Sequence, residues 1–173
     1  GEVNPSGKLP ITITKHAGQI PMYYYQRPSR YWTGYGLGSS REDEKPAFCF
    51  GHGLSYTSYE YSGLKIDSVI PQTQDIEFTF TVKNTGNMVG KETALVFIRD
   101  CVSSVVTPVA CLKGFEKVSL NPGESKDIRI VIPYSDLGLW NEDMKYVVES
   151  GKFNLMIGRS VEDIRIKKDF FIK

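Results

Sequence analysis

The last two thirds of the chain alternate between apolar and polar positions in the manner of β-strands. Between Asp75 and Lys83 every even-numbered residue is apolar and every odd-numbered residue is polar, which places one face of a strand against a core. The same two-residue period recurs at 128–132, 153–157 and 164–166. These patterns predict strands near residues 64–70, 75–83, 92–99, 109–118, 125–132, 151–158 and 163–172.

The connections between these strands have the composition of tight turns. In 121–124 (NPGE) Pro122 suits the first central position of a turn, and Gly123 is free to take a positive φ; 84–87 (NTGN) is a second such turn. Because no stretch of a dozen residues carries an amphipathic helical stripe, we expect neither crossover helices nor parallel pairing. Short strands joined by turns predict an all-β protein, built as an antiparallel β-sandwich.

The run 94–98 is apolar at every position, so we expect it to be covered on both faces. The tyrosines at 56, 59 and 61 alternate with polar residues, which indicates a strand or linker at the sandwich edge.

Residues 1–53 lack this period, and we call them the arm; residues 54–173 are the sandwich. The arm is rich in Tyr, Pro and Gly, and a strand at 8–14 is the one regular element predicted there. A segment with so little regular structure cannot bury its own apolar surface. Its aromatic residues should therefore pack on the sandwich, on a second copy of the chain in a homodimer, or on a further domain.

The charges of the chain nearly cancel, since 21 Lys and Arg stand against 20 Asp and Glu. Such a chain has no broad field to attract the phosphates of nucleic acid or an anionic membrane surface. No apolar run approaches the roughly 20 residues that span a bilayer. We therefore expect neither a nucleic-acid partner nor a membrane partner.

The three cysteines, Cys49, Cys101 and Cys111, form an odd set without a C-x-x-C pair, which favours free thiols and slightly favours a cytoplasmic location. A disulfide between Cys101 and Cys111 on neighbouring strands is the alternative, because the Cβ separation that decides it is not given by the sequence. Cys49, His52 and the distant His16 lack the closely spaced ligand pairs of a structural zinc site, so we expect no metal and no cofactor.

Several short strings stand in a characteristic order along the chain. They are 4–12 (NPSGKLPIT), 18–24 (GQIPMYY), 50–61 (FGHGLSYTSYEY), 82–86 (VKNTG), 112–118 (LKGFEKV), 120–124 (LNPGE) and 146–153 (YVVESGKF). Their order and spacing resemble the C-terminal region of family 3 glycoside hydrolases, and of bacterial β-glucosidases in particular. His52 departs from the common pattern, because many members of the family carry an aromatic residue there.

The resemblance implies a fibronectin-III/immunoglobulin-like antiparallel β-sandwich at 54–173 with an irregular N-terminal arm. The arm, 1–53, would be the tail of a preceding α/β sandwich domain together with a linker. A parent enzyme of this family also has an N-terminal (β/α)8 barrel. The remaining domains of the parent would then be the partners of this chain.

Retaining hydrolysis of β-glycosides needs two carboxyl groups about 5 to 5.5 Å apart. In the family, the nucleophilic Asp belongs to the barrel, and the acid/base Glu normally belongs to the α/β sandwich domain upstream of the string at 4–12. The resemblance therefore implies no catalytic residue in this chain. The chain alone should be inactive, with carbohydrate substrate bound only by the full-length protein.

Other residues that could carry chemistry have plainer interpretations. The acidic clusters 42–44 and 142–143 lack an apolar setting that would raise a carboxyl pKa, so solvated loop charges are favoured. His16 and His52 have no Ser or Cys in a nucleophile turn beside them, and we expect packing or surface roles.

One set of residues is a candidate for substrate binding. Aromatic rings beside guanidinium groups can stack on sugars and hydrogen-bond their hydroxyls, as on the rim of the parent's active site. Packing between domains is the favoured alternative for this set. Its members are Arg27, Arg30, Tyr31 and Trp32.

The favoured function is a noncatalytic C-terminal structural domain of a retaining β-glycosidase that hydrolyses terminal β-glycosides. Two alternatives stay open: a free-standing fibronectin-III-like module that binds carbohydrate or protein, and a small hydrolase complete in itself. The choice among glucosides, xylosides and N-acetylglucosaminides would be made by residues outside this chain.

Overall fold

Alternating apolar residues close two sheets over one core. A computed structural model describes residues 1–19, 22–25 and 45–173. Its strands are β1 Tyr59–Ile66, β2 Val69–Ile70, β3 Ile76–Asn84, β4 Gly90–Asp100, β5 Cys111–Leu120, β6 Ser125–Ile132, β7 Leu139–Trp140, β8 Tyr146–Val147, β9 Gly151–Gly158 and β10 Ile164–Ile172. Short 3₁₀ helices occur at Ala17–Gln19 and Tyr134–Leu137. In the described parts of the chain no helix has the length and apolar character needed to cross a membrane.

The strands form a sandwich of two sheets with a separate hairpin. The first sheet has the order β1-β3-β6, the second has the order β2-β10-β9-β4-β5, and β7 pairs with β8. This is the all-β, fibronectin-III-like arrangement that the sequence predicts.

One edge of the second sheet departs from the prediction of purely antiparallel pairing. There β2 pairs in parallel with β10, with Val69 opposite Phe171 and Ile70 opposite Ile172. Parallel strands need a long connection between them. The rest of the sandwich, which lies between β2 and β10 in the sequence, supplies that connection without a crossover helix.

The core lies between the inner faces of the two sheets. The even-numbered residues of β3, from Ile76 to Val82, are buried, as their alternation predicts. They belong to one cluster with Val96, Leu155 and Phe170 of the second sheet. Burying a large apolar side chain contributes about 1.5–3 kcal/mol, so this layer is a major source of stability.

The ends of the predicted strands are close to those observed, with one larger difference. Strands β6 and β9 have the predicted bounds, whereas the strand predicted at 64–70 begins at Tyr59 and is divided into β1 and β2. Tyr59 and Tyr61 are buried, which extends β1 toward the arm, and β1 is the edge strand expected of these tyrosines. Gly123 has φ 77°, which confirms the turn predicted at 121–124.

The strand predicted at 8–14 is wrong. Ile13 forms only an isolated bridge with Phe48, and the Leu9 N–H donates to the His52 carbonyl at 2.9 Å. Pro10 lies between these two contacts and has no N–H, so a continuous ladder is interrupted. The arm therefore runs beside 48–52 as an irregular segment.

The three cysteines are free thiols. Cys111 lies opposite Ile98 in the β4–β5 register, so Cys101 and Cys111 are not a cross-strand pair. Burial raises the pKa of both the Cys101 and the Cys111 thiol. Because the thiolate is the reactive form, both are weak nucleophiles near neutral pH.

Candidate functional site

The arm packs on the outer face of the second sheet. Leu95 and Phe97 of β4 point away from the main core into a second apolar cluster, where Tyr24 and Phe50 cover them. The Tyr24 and Phe50 rings stack with centroids 4.1 Å apart, and Phe97 meets both rings edge-on at 6.1 and 6.3 Å. The run 94–98 is thus covered on both faces, as predicted, and the described part of the arm is one of its covers.

A buried ion cluster lies between the arm and the sandwich. The Glu92 side chain is 2% exposed, and its Oε1 accepts from Lys8 Nζ at 3.2 Å and from Arg159 Nε at 3.3 Å. The Tyr61 hydroxyl donates to the same oxygen at 3.0 Å. We call these four residues the Glu92 cluster; it joins the arm, β1, β4 and the end of β9.

Burial dominates the electrostatics of this cluster. It lowers the pKa of Lys8, although the Glu92 carboxylate beside the ammonium acts in the opposite direction. It also raises the pKa of Tyr61, so the phenol stays protonated and remains a donor. One carboxylate with two cations and a neutral donor around it forms a structural clasp, because its charge is already compensated.

The alternation in β4 could have pointed to Glu92 from the sequence alone. Glu92 continues the two-residue period of Ala94, Val96 and Ile98, all of which are buried in the main core. A carboxylate on a core-facing position needs cationic partners from elsewhere in the fold. Those partners, Lys8 and Arg159, are distant in sequence.

Asn4 ties the start of the arm to the sandwich. Its Oδ1 accepts from the Tyr56 N–H at 2.9 Å, and its Nδ2 donates to the Val89 carbonyl at 3.3 Å. A Cβ at Gly90 would lie 2.5 Å from Asn4 Nδ2 and 2.2 Å from the Tyr59 hydroxyl. A larger residue at position 90 would therefore require the Asn4 and Tyr59 side chains to shift.

The four candidate substrate-binding residues, Arg27, Arg30, Tyr31 and Trp32, lie outside the described residues. The acidic cluster 42–44 lies there too, so both interpretations stay predictions.

The other candidates have the plain roles expected of them. Glu142 and Asp143 are exposed, and Asp143 Oδ2 lies 3.8 Å from Lys145 Nζ at the surface. His16 is exposed, and the His52 ring packs 4.8 Å from that of Phe48. Within 1–19, 22–25 and 45–173, no three His, Cys, Asp or Glu side chains come together as a metal site.

Comparison with known proteins assigns both parts of the chain to families. Residues 1–56 match the glycosyl hydrolase family 3 C-terminal domain, and residues 92–161 match the fibronectin type III-like domain. The chain belongs to the C-terminal region of family 3 glycosyl hydrolases, which confirms the resemblance found in its sequence.

The individual relatives are glycosidases. The chain is 42% identical to a putative β-xylosidase of Formosa agariphila over 100% of its length, and 37% identical to the periplasmic β-glucosidase of Salmonella typhimurium over 99% of its length. It superposes on a β-glucosidase structure from Erythrobacter marinus with a TM-score of 0.88 and 34% identity, over 100% of its length. The chain spans 22% and 23% of the two relatives and 22% of that structure.

Proposed function

We propose that this chain is a noncatalytic structural part of a retaining β-glycosidase whose full-length form hydrolyses terminal β-glycosides. The observation that carries the proposal is the attachment of the arm to the sandwich by the Glu92 cluster and by the packing of Tyr24 and Phe50 on Phe97. The whole arm, 1–53, lies in the segment 1–56 that matches the family 3 C-terminal domain. A sandwich held to that segment by buried charges and aromatic packing would stabilise the catalytic body.

We propose that the chain consists of two parts that this attachment joins. Residues 1–53 would be the tail of an α/β sandwich domain with a linker, and residues 54–173 would be the fibronectin-III-like domain. The remaining domains of the parent would be the partners of the arm.

An apolar groove formed by the arm and the first residue of the sandwich supports this choice of partner. Leu9, Ile13, Phe48 and Leu54 line it, and Phe48 and Leu54 are 48% and 73% exposed. Clustered exposed apolar side chains are typical of interaction surfaces. Because the relatives are several times longer than this chain, the rest of the α/β domain is the occupant that we propose.

The gene sequence upstream of the Gly1 codon tests the proposal. We expect an open reading frame encoding a barrel with a nucleophilic Asp, followed by most of an α/β domain. A stop codon in frame directly before Gly1 would contradict the proposal.

An activity assay tests whether catalysis resides outside this chain. We expect the full-length protein to hydrolyse p-nitrophenyl β-D-glucoside or β-D-xyloside, in line with the names of the relatives, and the 173-residue chain to hydrolyse neither. Turnover by the purified chain alone would show that it is a complete hydrolase.

A further inference from the structure

A pocket of about 380 Å³ opens between the β7–β8 hairpin and the loop that follows β4. Its volume falls in the range of roughly 300–1,000 Å³ that is usual for small-molecule sites. It shares no residue with the Glu92 cluster, and Tyr25 of the arm forms part of its wall.

Two aromatic rings on the hairpin line this pocket. Trp140 and Tyr146 are 61% and 50% exposed, with ring centroids 5.5 Å apart. The Tyr146 hydroxyl donates to the Ser135 carbonyl at 2.9 Å, and a Cβ at Gly138 would lie only 2.4 Å from the Tyr146 ring. The Tyr146 ring is therefore held in one position.

The turn of the hairpin is fixed as well. Asn141 Oδ1 accepts from the backbone N–H groups of Asp143 and Lys145 at 3.1 and 3.0 Å. A rigid aromatic surface that stays exposed loses little conformational entropy on binding. The apolar face of a sugar ring is a ligand that such a surface can stack against.

A carboxylate with an unused acceptor also lines the pocket. Asp100 Oδ1 accepts from the Val102 N–H at 3.2 Å, whereas its Oδ2 is buried and has no hydrogen-bond partner in the described structure. A buried acceptor without a donor is costly, and a turn of the side chain toward the pocket would let a ligand hydroxyl satisfy it. Burial raises the pKa of Asp100, which agrees with a carboxylate that lacks a donor.

Lys113 lines the same pocket, and its positive charge is opposite in sign to that of Asp100. Its ammonium donates to the Asp136 carbonyl, which holds it in place. An amine would be attracted by the Asp100 carboxylate but repelled by the Lys113 ammonium. The pair of opposite charges therefore favours a neutral ligand over an amine.

We propose that this pocket binds a neutral saccharide. One face of a sugar ring stacks on Trp140, and the Asp100 carboxylate turns toward the pocket to accept from a sugar hydroxyl. The inference goes beyond the structural function, because it gives the sandwich a carbohydrate ligand of its own.

Nuclear magnetic resonance titration of the ¹⁵N-labelled chain with cellobiose tests the proposal. We expect saturable shifts of the Trp140 indole N–H and of amides in 100–113 and 139–147, with a Kd on the order of 1 mM. Trp140→Ala should weaken binding about tenfold, and Asp100→Asn should weaken it about threefold. The matched control is Phe115→Ala, which removes an aromatic ring that is 65% exposed on β5 and should leave the Kd unchanged.

Thermal unfolding of each variant is measured first. If Trp140→Ala does not fold, Asp100→Asn, which keeps the shape of the side chain, decides the question. The proposal is overturned if cellobiose at about 20 mM causes no saturable shift, if the shifts lie outside the pocket, or if Asp100→Asn binds like the wild type. It is equally overturned if tetramethylammonium shifts these signals and cellobiose does not, because the pocket would then be a site that prefers cations to sugars. None of these outcomes depends on glycosidase activity.

Discussion

Lys8 of the arm and Glu92 of the sandwich form an ion pair in which Nζ lies 3.2 Å from Oε1 and both side chains are largely removed from water. Their side chains are 12% and 2% exposed. A buried ion pair adds little stability beyond that of apolar packing, but the loss of one partner leaves a buried charge without compensation. The pair therefore specifies where the arm lies on the sandwich.

The first prediction concerns the anion of this cluster. Glu92→Gln leaves Lys8 and Arg159 without their counter-charge, and we expect the free energy of unfolding to fall by about 3 kcal/mol. Urea denaturation followed by fluorescence measures the loss. The control is Glu77→Gln, which breaks an exposed pair with Arg129 and should cost much less, since water screens that pair. Equal losses for the two variants would contradict the role assigned to Glu92.

The second prediction concerns the aromatic attachment of the arm. Tyr24→Ala removes the ring that stacks on Phe50 at 4.1 Å, so the arm should open locally more often. We expect faster hydrogen exchange at the Leu9 and Gly51 amides, which hydrogen-bond to the His52 and Leu9 carbonyls. Exchange in β3 should not change. Tyr23→Ala is the control, because Tyr23 is 63% exposed, and an equal effect from it would rule out the stack as the cause.

The sandwich could be predicted from the sequence because its alternation is a local property. A strand such as β3 shows which face it buries without reference to its neighbours. The attachment of the arm could not be predicted in this way, since Tyr24 meets Phe97, and Lys8 meets Glu92, only after the chain has folded. The error at 8–14 has the same origin, because apolar residues there suggested a strand while Pro10 removed the donor that a ladder needs.

The third prediction concerns the turn after β3. Asn84 is fully buried; its Oδ1 accepts from the Thr57 hydroxyl at 2.7 Å and from the Gly86 N–H at 3.1 Å. Its Nδ2 donates to the Met88 and Leu120 carbonyls at 2.8 and 3.1 Å.

Asn84→Ala leaves these buried groups without partners, and we expect a loss of about 2–4 kcal/mol in urea denaturation. Asn154→Ala removes an exposed hydrogen bond to Asp169 and serves as the control, with a loss well below that of Asn84→Ala. A small loss at Asn84 would mean that water replaces its contacts.

The fourth prediction is a dependence on pH with opposite signs at two aspartates. Burial raises the pKa of Asp100 above its value in the unfolded chain, so the folded protein binds this proton more tightly. The resulting stabilisation is complete below the unfolded pKa and is lost as the pH rises through the folded one. Asp100→Asn should therefore unfold at a higher temperature than the wild type at about pH 7, and the difference should shrink toward about pH 3.

Asp169 provides the matched comparison, because a hydrogen bond from Lys152 lowers the pKa of its carboxyl. Its stabilisation is present above the unfolded pKa and is lost as the pH falls through the folded one. Asp169→Asn should thus lower the melting temperature at about pH 7, with the difference again shrinking as the pH falls. Melting temperatures of the three proteins across this pH range measure both effects. If Asp100→Asn is less stable than the wild type at about pH 7, then Asp100 Oδ2 has a donor in solution, and the unused acceptor in the pocket does not exist.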